Sequence, residues 1–455
     1  MTHRLPKQPI ASLENAVPTQ LTAPALPAGT RVETLDNGLT VCLLPNSQAP
    51  IVTSALWYRA GARDEAAAEA GVAHFLEHMM FKGSAAYGPG EIDRRTQALG
   101  GSNNAFTSYD ATAYYFNFRR DRWQEALAIE ADRMSGLNLV RREVDSERQV
   151  ILEELAMYED EPWDALEQAV QEALFQGHPY GRPIIGTRKT LRATDGDVLA
   201  RFHRHFYRPD NAVLVLAGDL PEDALEQVQE RLGAIPRGAV ARPELAPPAP
   251  LNQWLRVQRR RGDVARFCLA LRGPAAGDEL FPAVRLLMAV LTSGRASRLH
   301  RALVEERQSC LWVAGQVAES PLAGSLAVVL ELVPGADAEA VEKEVLEHLA
   351  RLASEPPSPK ELERARRVLL ADWVFGHERV HQQALSAGFA LTLFDLDHPR
   401  RWLQSSLDAD EEQLTAAARC FDPAGGGVLG WSLPAGGGSS SAASSANSPS
   451  IVDEP

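Results

Sequence analysis

Cysteine is scarce in this chain of 455 residues, and the few cysteines present are badly placed to pair. No two of them have C-x-x-C spacing, and long stretches separate Cys42, Cys268, Cys310 and Cys420. This pattern excludes a disulfide-stapled scaffold and a cysteine zinc cluster. We therefore expect reduced thiols in a hydrophobic core.

Long hydrophobic runs and an excess of positive charge are missing as well. No apolar stretch approaches about 18 residues, so we expect no membrane span. The first 26 residues lack the apolar stretch of a secretory signal, which predicts a cytoplasmic protein, or a periplasmic one if the start of translation is misassigned. The formal net charge of −14 argues against a nucleic-acid partner, because such partners require basic patches.

What the chain does contain is typical of a globular protein. Hydrophobic residues make up 45% of it and charged residues 23%. This composition and the length predict a large buried core divided among more than one domain.

The stretch from Gly71 to Phe81 carries the clearest chemical signal. Its apolar residues recur at helical spacing and predict one buried face, formed by Val72, Phe75, Leu76, Met79 and Met80. His74 and His78 are four residues apart and project from the same side, with Glu77 beside them. Two such imidazoles can bind one Zn²⁺ and leave room for a third ligand and a water, whose proton a carboxylate can take. The alternative is that both histidines merely cap or pack a buried helix.

A second helix, predicted from about Arg142 to Tyr158, offers candidates for the third ligand. Its apolar stripe consists of Val144, Ile151, Leu155 and Tyr158. Glu147 and Glu154 are seven residues apart and share a face beside that stripe. A carboxylate at the edge of a buried face needs a partner, and a metal ion is one such partner. Spacing alone does not choose Glu154 over Glu153, and a solvated acidic helix is the alternative.

Several blocks occur together in an order that resembles the pitrilysin/insulinase family of zinc metallopeptidases, the inverzincins. They are LDNGL at 35–39, GVAHFLEHM at 71–79, GGSNNAFTS at 100–108, ADRM at 131–134, ERQVILEE at 147–154, HPY at 178–180 and YRPDN at 207–211. The short two-domain members, similar to the beta subunit of mitochondrial processing peptidase and its bacterial relatives, match best. The His-x-x-Glu-His order at 74–78 is the signature of this group.

The resemblance implies a role for each candidate residue. His74, His78 and Glu154 would bind one Zn²⁺ per chain, Glu77 would be the catalytic base, and Glu147 would support the ligands without touching the metal. A peptide substrate would add as a strand to an edge formed by Asn104, Ala105, Phe106 and Thr107. Without the resemblance, that last segment would be interpreted as an ordinary loop between helix and strand.

The resemblance also implies an α+β fold. It consists of two structurally repeated α/β-sandwich domains, each a mostly antiparallel sheet with helices packed on it. We predict an N-terminal extension over residues 1–28, a catalytic zinc-binding domain over 29–240, a proline-rich linker over 241–252, a degenerate repeat without metal over 253–433, and a disordered Ser/Gly/Ala-rich tail over 434–455. The segment that matches the motif helix, near Ala283–Leu291, has neither His nor Glu.

A second subunit is also expected. In the family, a second two-domain unit supplies an Arg and, seven residues later, a Tyr that hold the substrate. The matching positions here are Val304 and Leu311, which cannot donate hydrogen bonds from their side chains. We therefore predict a heterodimer with a homologous subunit that keeps Arg and Tyr. The alternative is a homodimer that uses Arg301 or Arg307.

These patterns together predict a zinc endopeptidase that hydrolyses peptides or small unfolded polypeptides, as the catalytic subunit of a two-subunit enzyme. The alternatives are a non-catalytic structural subunit, like the core subunits of a respiratory complex, and a peptide-binding relative. An intact set of His74, Glu77, His78 and Glu154 disfavours the structural role, and a pure binding module has no need of Glu77.

Overall fold

The computed structural model describes residues 21–240, 242, 244–434 and 450–451. Within the predicted N-terminal extension, residues 21–27 contain no helix or strand, and residues 1–20 lie outside the described part. The predicted disordered tail also lies outside it, apart from residues 434, 450 and 451. No helix among the described residues is long and apolar enough to pass through a bilayer.

The first half of the chain builds a six-stranded sheet in the order β1-β2-β6-β3-β5-β4. Its strands are β1 (Arg31–Thr34), β2 (Thr40–Pro45), β3 (Ile51–Tyr58), β4 (Ser102–Thr107), β5 (Thr112–Arg119) and β6 (Ala212–Gly218). Only the β2–β6 pair is parallel. Strands β1 and β2 are antiparallel and joined by a tight turn, where Gly38 has a φ of +89° that disfavours a side chain.

Helices follow β3, β5 and β6 of this half. They are α1 (Val72–Met79), α2 (Glu91–Ala98), α3 (Gln124–Ser135), α4 (Arg141–Asp160), α5 (Pro162–Leu174), α6 (Arg188–Ala193), α7 (Gly196–Phe206) and α8 (Ala224–Leu232). Apolar residues of α1, α3, α4 and α7 join those of the sheet in one large core. This core fixes α1 and α4 against each other, which positions the two predicted ligand helices.

The second half builds another six-stranded sheet, in the order β12-β7-β11-β8-β10-β9. Its strands are β7 (Trp254–Arg260), β8 (Arg266–Gly273), β9 (Cys310–Val317), β10 (Gly324–Leu332), β11 (Gly427–Leu433) and β12 (Ser450–Ile451). Its helices are α9 (Phe281–Thr292), α10 (Ala338–Ser354), α11 (Pro359–Gly376), α12 (Val380–Leu393), α13 (His398–Asp408) and α14 (Glu411–Ala418). A π-helical turn covers His300–Glu306.

The two sheets repeat one topology. The order β2-β6-β3-β5-β4 in the first sheet corresponds to β7-β11-β8-β10-β9 in the second, each with one parallel pair at the corresponding place. Helix α9 follows β8 as α1 follows β3, and α9 contains no His or Glu. The predicted α+β fold with two repeats is therefore confirmed, and the metal-binding motif is absent from the second motif helix.

The two halves also exchange helices. Helix α5 packs on β7, β8 and β11 of the second sheet, where Leu166 and Val170 are buried. Helix α12 packs on β3 and β6 of the first sheet, with Ala384 and Ala387 against it. Each sheet is thus covered on one face by a helix from the other half. The described residues of the predicted linker, 242 and 244–252, form neither helix nor strand.

Candidate metal centre

Helix α1 turns its two histidines away from the core. Its buried residues are Val72, Ala73, Phe75, Leu76 and Met79. The helix begins after Gly71, whose φ is +94° and where a Cβ would lie 2.5 Å from the carbonyl oxygen of Ile185. Only glycine fits this start, so the close approach of two backbone segments fixes where α1 begins.

Helix α4 supplies the acidic side of the site. Val144, Ile151 and Leu155 are buried, as predicted. The prediction that Tyr158 belongs to this apolar stripe is wrong, because Tyr158 is 45% exposed. Its hydroxyl instead approaches Glu154. The contact with His78 is the main effect that lowers the pKa of Glu154 against burial, and His74 and Tyr158 add to it.

The structure brings His74, His78 and Glu154 together. His74 Nε2 lies 3.8 Å from Glu154 Oε1, and His78 Nε2 lies 3.4 Å from Glu154 Oε2. One ligand atom from each residue falls within 4.8 Å of the others. Two ligand atoms that share a tetrahedral Zn²⁺ at about 2.1 Å lie roughly 3.4 Å apart, so this set fits the ion. Glu153, the alternative that spacing left open, is exposed and outside the cluster.

Glu147 lies behind His78. Its Oε1 is 2.8 Å from His78 Nδ1, and its Oε2 is 2.6 Å from the Lys82 ammonium. This contact leaves Nε2 as the ring nitrogen of His78 that faces Glu154. Burial lowers the pKa of His78, but the contacts with Glu147 and Glu154 outweigh burial and raise it to about 9. Burial and the neighbouring His78 lower the pKa of His74 to about 4.

Glu77 is held by the edge strand. Thr107 Oγ1 donates a hydrogen bond of 2.6 Å to Glu77 Oε2. Burial raises the pKa of Glu77, although this hydrogen bond lowers it. A carboxylate with a raised pKa next to the ligand cluster accepts a proton more readily than an ordinary glutamate.

The predicted substrate segment is the edge strand β4. Within the described residues β4 pairs with β5 alone, so one of its backbone edges is free. Asn104 and Phe106 are on the exposed side, and Ala105 and Thr107 are on the partly buried side next to α1. The ring of Phe106 packs edge-on against Trp57 at 5.3 Å.

Sequence reasoning missed Lys82, Tyr158 and the side-chain role of Thr107. Lys82 and Tyr158 each follow a predicted ligand by four residues, so helical spacing was a usable signal for both. Thr107 carried no such signal, because its contact with Glu77 joins a helix to a strand distant in sequence.

The segment that was matched to the family's Arg and Tyr lies at the edge of the second sheet. Leu311 on β9 is 51% exposed, and Val304 belongs to the π-helical turn. The two arginines considered as replacements have acidic partners. Arg307 lies 2.5 Å from Glu344, and Arg301 lies 3.2 Å from Glu306.

Comparison with known proteins matches the two halves of the chain to two domains of one protein family. Residues 40–188 match the insulinase domain of peptidase family M16, and residues 195–369 match the domain described as the peptidase M16 inactive domain. An uncharacterized zinc protease of Mycobacterium leprae is 33% identical over 332 residues, which cover 71% of this chain and 74% of that protein. An uncharacterized zinc protease of Bacillus subtilis is 30% identical over 274 residues, which cover 60% of this chain and 66% of that protein.

Solved structures share the fold. A protease from Helicobacter pylori superposes with a TM-score of 0.85 at 24% identity and covers 90% of this chain and 100% of its own. Pitrilysin superposes with a TM-score of 0.74 at 18% identity, and the match covers 92% of this chain and 48% of pitrilysin. The predicted family is confirmed, and the chain belongs to peptidase family M16, the insulinase family.

Proposed function

We propose that this chain is a zinc-dependent endopeptidase that hydrolyses peptides or small unfolded polypeptides. The observation that carries the proposal is the convergence of His74, His78 and Glu154 on one point, with Glu77 on the same helix as the histidines. The relatives named zinc proteases support this reaction class.

Three side chains would hold one zinc ion, namely His74, His78 and Glu154. Three protein ligands leave a fourth position for water or substrate, as a catalytic rather than a structural site requires. Zn²⁺ bound there polarises a peptide carbonyl and lowers the pKa of water. Glu147 orients His78 through the Nδ1 contact, which leaves Nε2 beside Glu154 as the atom that would bind the metal.

Glu77 would move the protons. It takes a proton from the attacking water and delivers it to the leaving amine. Thr107 fixes one carboxylate oxygen and leaves Oε1 of Glu77 for the water. The raised pKa of Glu77 suits both transfers, because a very strong acid would neither accept the first proton nor hold it.

Strand β4 would bind the substrate. An extended peptide can pair with its free edge through main-chain hydrogen bonds, which give affinity with little dependence on sequence. Thr107, at the end of this strand, contacts Glu77, so a peptide on this edge lies next to the base.

Substitution of Glu77 tests this function. Glu77→Gln should retain bound zinc and lose roughly 10²–10⁴-fold in turnover of a mixed peptide library, because it removes the base and no ligand.

The ligands are tested separately. His74→Ala, His78→Ala and Glu154→Gln should each reduce bound zinc, and Glu153→Gln is the matched control that changes neither bound zinc nor turnover. Full activity in Glu77→Gln, or activity that a chelator does not affect, would contradict the mechanism. Zinc binding without turnover in the wild type would favour a structural or peptide-binding role.

We further propose that the active form contains a second, homologous subunit. The positions matched to the family's Arg and Tyr carry Val304 and Leu311, and the candidate replacements Arg301 and Arg307 already have acidic partners. A sister subunit with both donors would supply what this chain lacks. A homodimer would contain two zinc sites and neither donor at these positions.

A further inference from the structure

The two predicted histidine ligands are held in different ways. His78 Nδ1 contacts Glu147, which also contacts Lys82. His74 Nδ1 is buried and has no hydrogen-bond partner among the residues that the structure describes. Histidines that bind metal usually use the second ring nitrogen in a hydrogen bond that fixes the ring, so something else must fix His74.

Glu65 makes the contacts that hold the first turn of α1. Its Oε2 accepts the backbone N–H of Gly71 at 2.9 Å, and its Oε1 accepts that of Ala73 at 2.8 Å. Ala73 is the residue directly before His74. The first N–H groups of a helix have no partner within the helix, so a carboxylate there satisfies them and interacts favourably with the helix dipole.

Glu65 is itself fixed from outside. It is 6% exposed, and its carbonyl oxygen accepts a hydrogen bond of 3.0 Å from Arg182 Nη1. On the other side of the turn, a Cβ at Gly186 would lie 2.4 Å from the carbonyl oxygen of Ala70. The start of α1 is therefore enclosed between Glu65 and the segment that contains Arg182 and Gly186.

We propose that Glu65 is a positioning residue for His74. By fixing the N–H groups at the start of α1, it sets the backbone from which His74 projects, whereas Glu147 contacts the ring of His78 directly. This inference rests on the proposed zinc site. Burial raises the pKa of Glu65 to about 8, and the hydrogen bonds from the Ala73 and Gly71 N–H groups oppose this rise, so these two contacts favour the charged form of the buried carboxyl.

The test compares Glu65→Gln with a control in the full-length chain. Gln has nearly the same shape but only one acceptor oxygen, so one of the two N–H groups loses its partner. Asp337→Ala is the control, since Asp337 Oδ1 accepts the N–H groups of Glu339 and Ala340 at the start of α10, in the second half, and alanine offers no acceptor. Each variant weakens the start of one helix, which is α1 in Glu65→Gln and α10 in the control.

Two measurements on the purified proteins are needed. The first is zinc affinity, by competition with a chromophoric chelator, where Glu65→Gln should bind about 10–100-fold more weakly, the usual effect of removing an outer support of a ligand. The second is the visible absorption spectrum of the protein saturated with Co²⁺, which should change in Glu65→Gln because His74 is reoriented. Asp337→Ala should lower the melting temperature, because the start of α10 loses its cap, and should change neither measurement.

A second variant covers the case in which Glu65→Gln does not fold. Arg182→Met leaves the carboxylate in place and removes the support of its backbone, so a smaller loss of zinc affinity is expected. Zinc affinity and Co²⁺ spectra equal to wild type in the folded variants would overturn the role of Glu65 while leaving the zinc site intact. Absence of zinc binding in the wild type would overturn the proposed function and this inference with it.

Discussion

At the scale of single residues, the candidate site depends on a side chain that contacts two partners at once. The carboxyl of Glu147 lies between His78 and Lys82, with one oxygen for each. Taking a carboxylate out of water is costly, and charged or polar partners on both oxygens offset that cost. Burial raises the pKa of Glu147, but His78 and Lys82 outweigh it and lower the pKa.

Glu147→Gln should weaken zinc binding by about 10–100-fold while all three proposed ligands remain. The amide cannot provide the negative charge that orients and polarises His78. Zinc affinity measured against a competing chelator checks this, with the exposed Glu153→Gln on the same helix as control. Wild-type affinity in Glu147→Gln would show that His78 is oriented by α1 alone.

Thr107→Val should lower kcat by roughly tenfold and leave bound zinc unchanged. Valine has the shape of threonine but cannot donate to Glu77, so the base loses the contact that fixes one of its oxygens. Steady-state kinetics and metal analysis of the same preparation check both parts. A change in KM alone would place Thr107 in substrate binding and not in orientation of the base.

At the scale of elements, an ion pair joins the segment before the π-helical turn to the start of α11. Arg298 Nε lies 2.8 Å from Glu361, which also accepts the N–H of Ser358 at 2.8 Å. The contact with Arg298 is the largest effect that lowers the pKa of Glu361 to about 2. The ordinary pKa of this carboxyl is 4.5, so folding favours its charged form.

The stability contributed by Glu361 should therefore be fully present above about pH 4.5 and be lost as the pH falls toward 2. Glu361→Gln should be less stable than wild type at neutral pH, and the difference should shrink across that range. Urea unfolding of both proteins at several pH values checks the sign. A difference that grows as the pH falls would contradict the ion-pair explanation.

The exchanged helix α12 fits the first sheet closely at one residue. A Cβ at Gly388 would lie 2.0 Å from Trp57 Nε1, in a contact that is already tight. Trp57 also packs against Phe106 on β4, so this contact links the second half of the chain to the proposed substrate strand.

Gly388→Ala should lower the free energy of unfolding by about 1–3 kcal/mol, because overpacking displaces Trp57 or α12. Gly376→Ala at the end of α11, where a Cβ would meet nothing within 4 Å, is the control and should be neutral. Denaturant unfolding of both variants measures the difference. Equal stability of both would show that α12 shifts on the sheet without cost.

At the scale of the whole molecule, the repeat of one topology explains how one half can carry the candidate site and the other half can lack it. Helix α9 has the position of α1, but its residues are almost all buried and apolar. Helix α9 has no carboxylate, imidazole or thiol to offer a metal, and its buried residues pack in the core of the second half. In the second half, β9 is an edge strand, as β4 is in the first, and helix α12 packs on the first sheet.

The isolated chain should have low peptidase activity and should gain activity when a homologous chain carrying the Arg and Tyr donors is added. Loss of donors to a developing oxyanion typically costs about 10²–10³ in rate, so a gain of that order is expected on mixing. Activity assays and size-exclusion chromatography of each chain and of the mixture check this. Strong activity of the isolated chain, with no gain on mixing, would contradict the heterodimer.

Local sequence determined the elements of this protein and part of its site. The spacing of His74 and His78 placed both on one side of a helix, because helical periodicity depends only on neighbouring residues. The apolar face predicted for α1 followed from the same local rule, since Val72, Phe75, Leu76 and Met79 are all buried.

Only the tertiary structure decided which distant residues meet. Helical spacing could not separate Glu154 from Glu153, and packing of α4 against α1 brings Glu154 to the histidines. The contacts of Glu65 with the first turn of α1, of Thr107 with Glu77 and of α12 with the first sheet were likewise not predicted. Each of these depends on how elements pack, and packing is set by the whole core and not by the order of neighbouring residues.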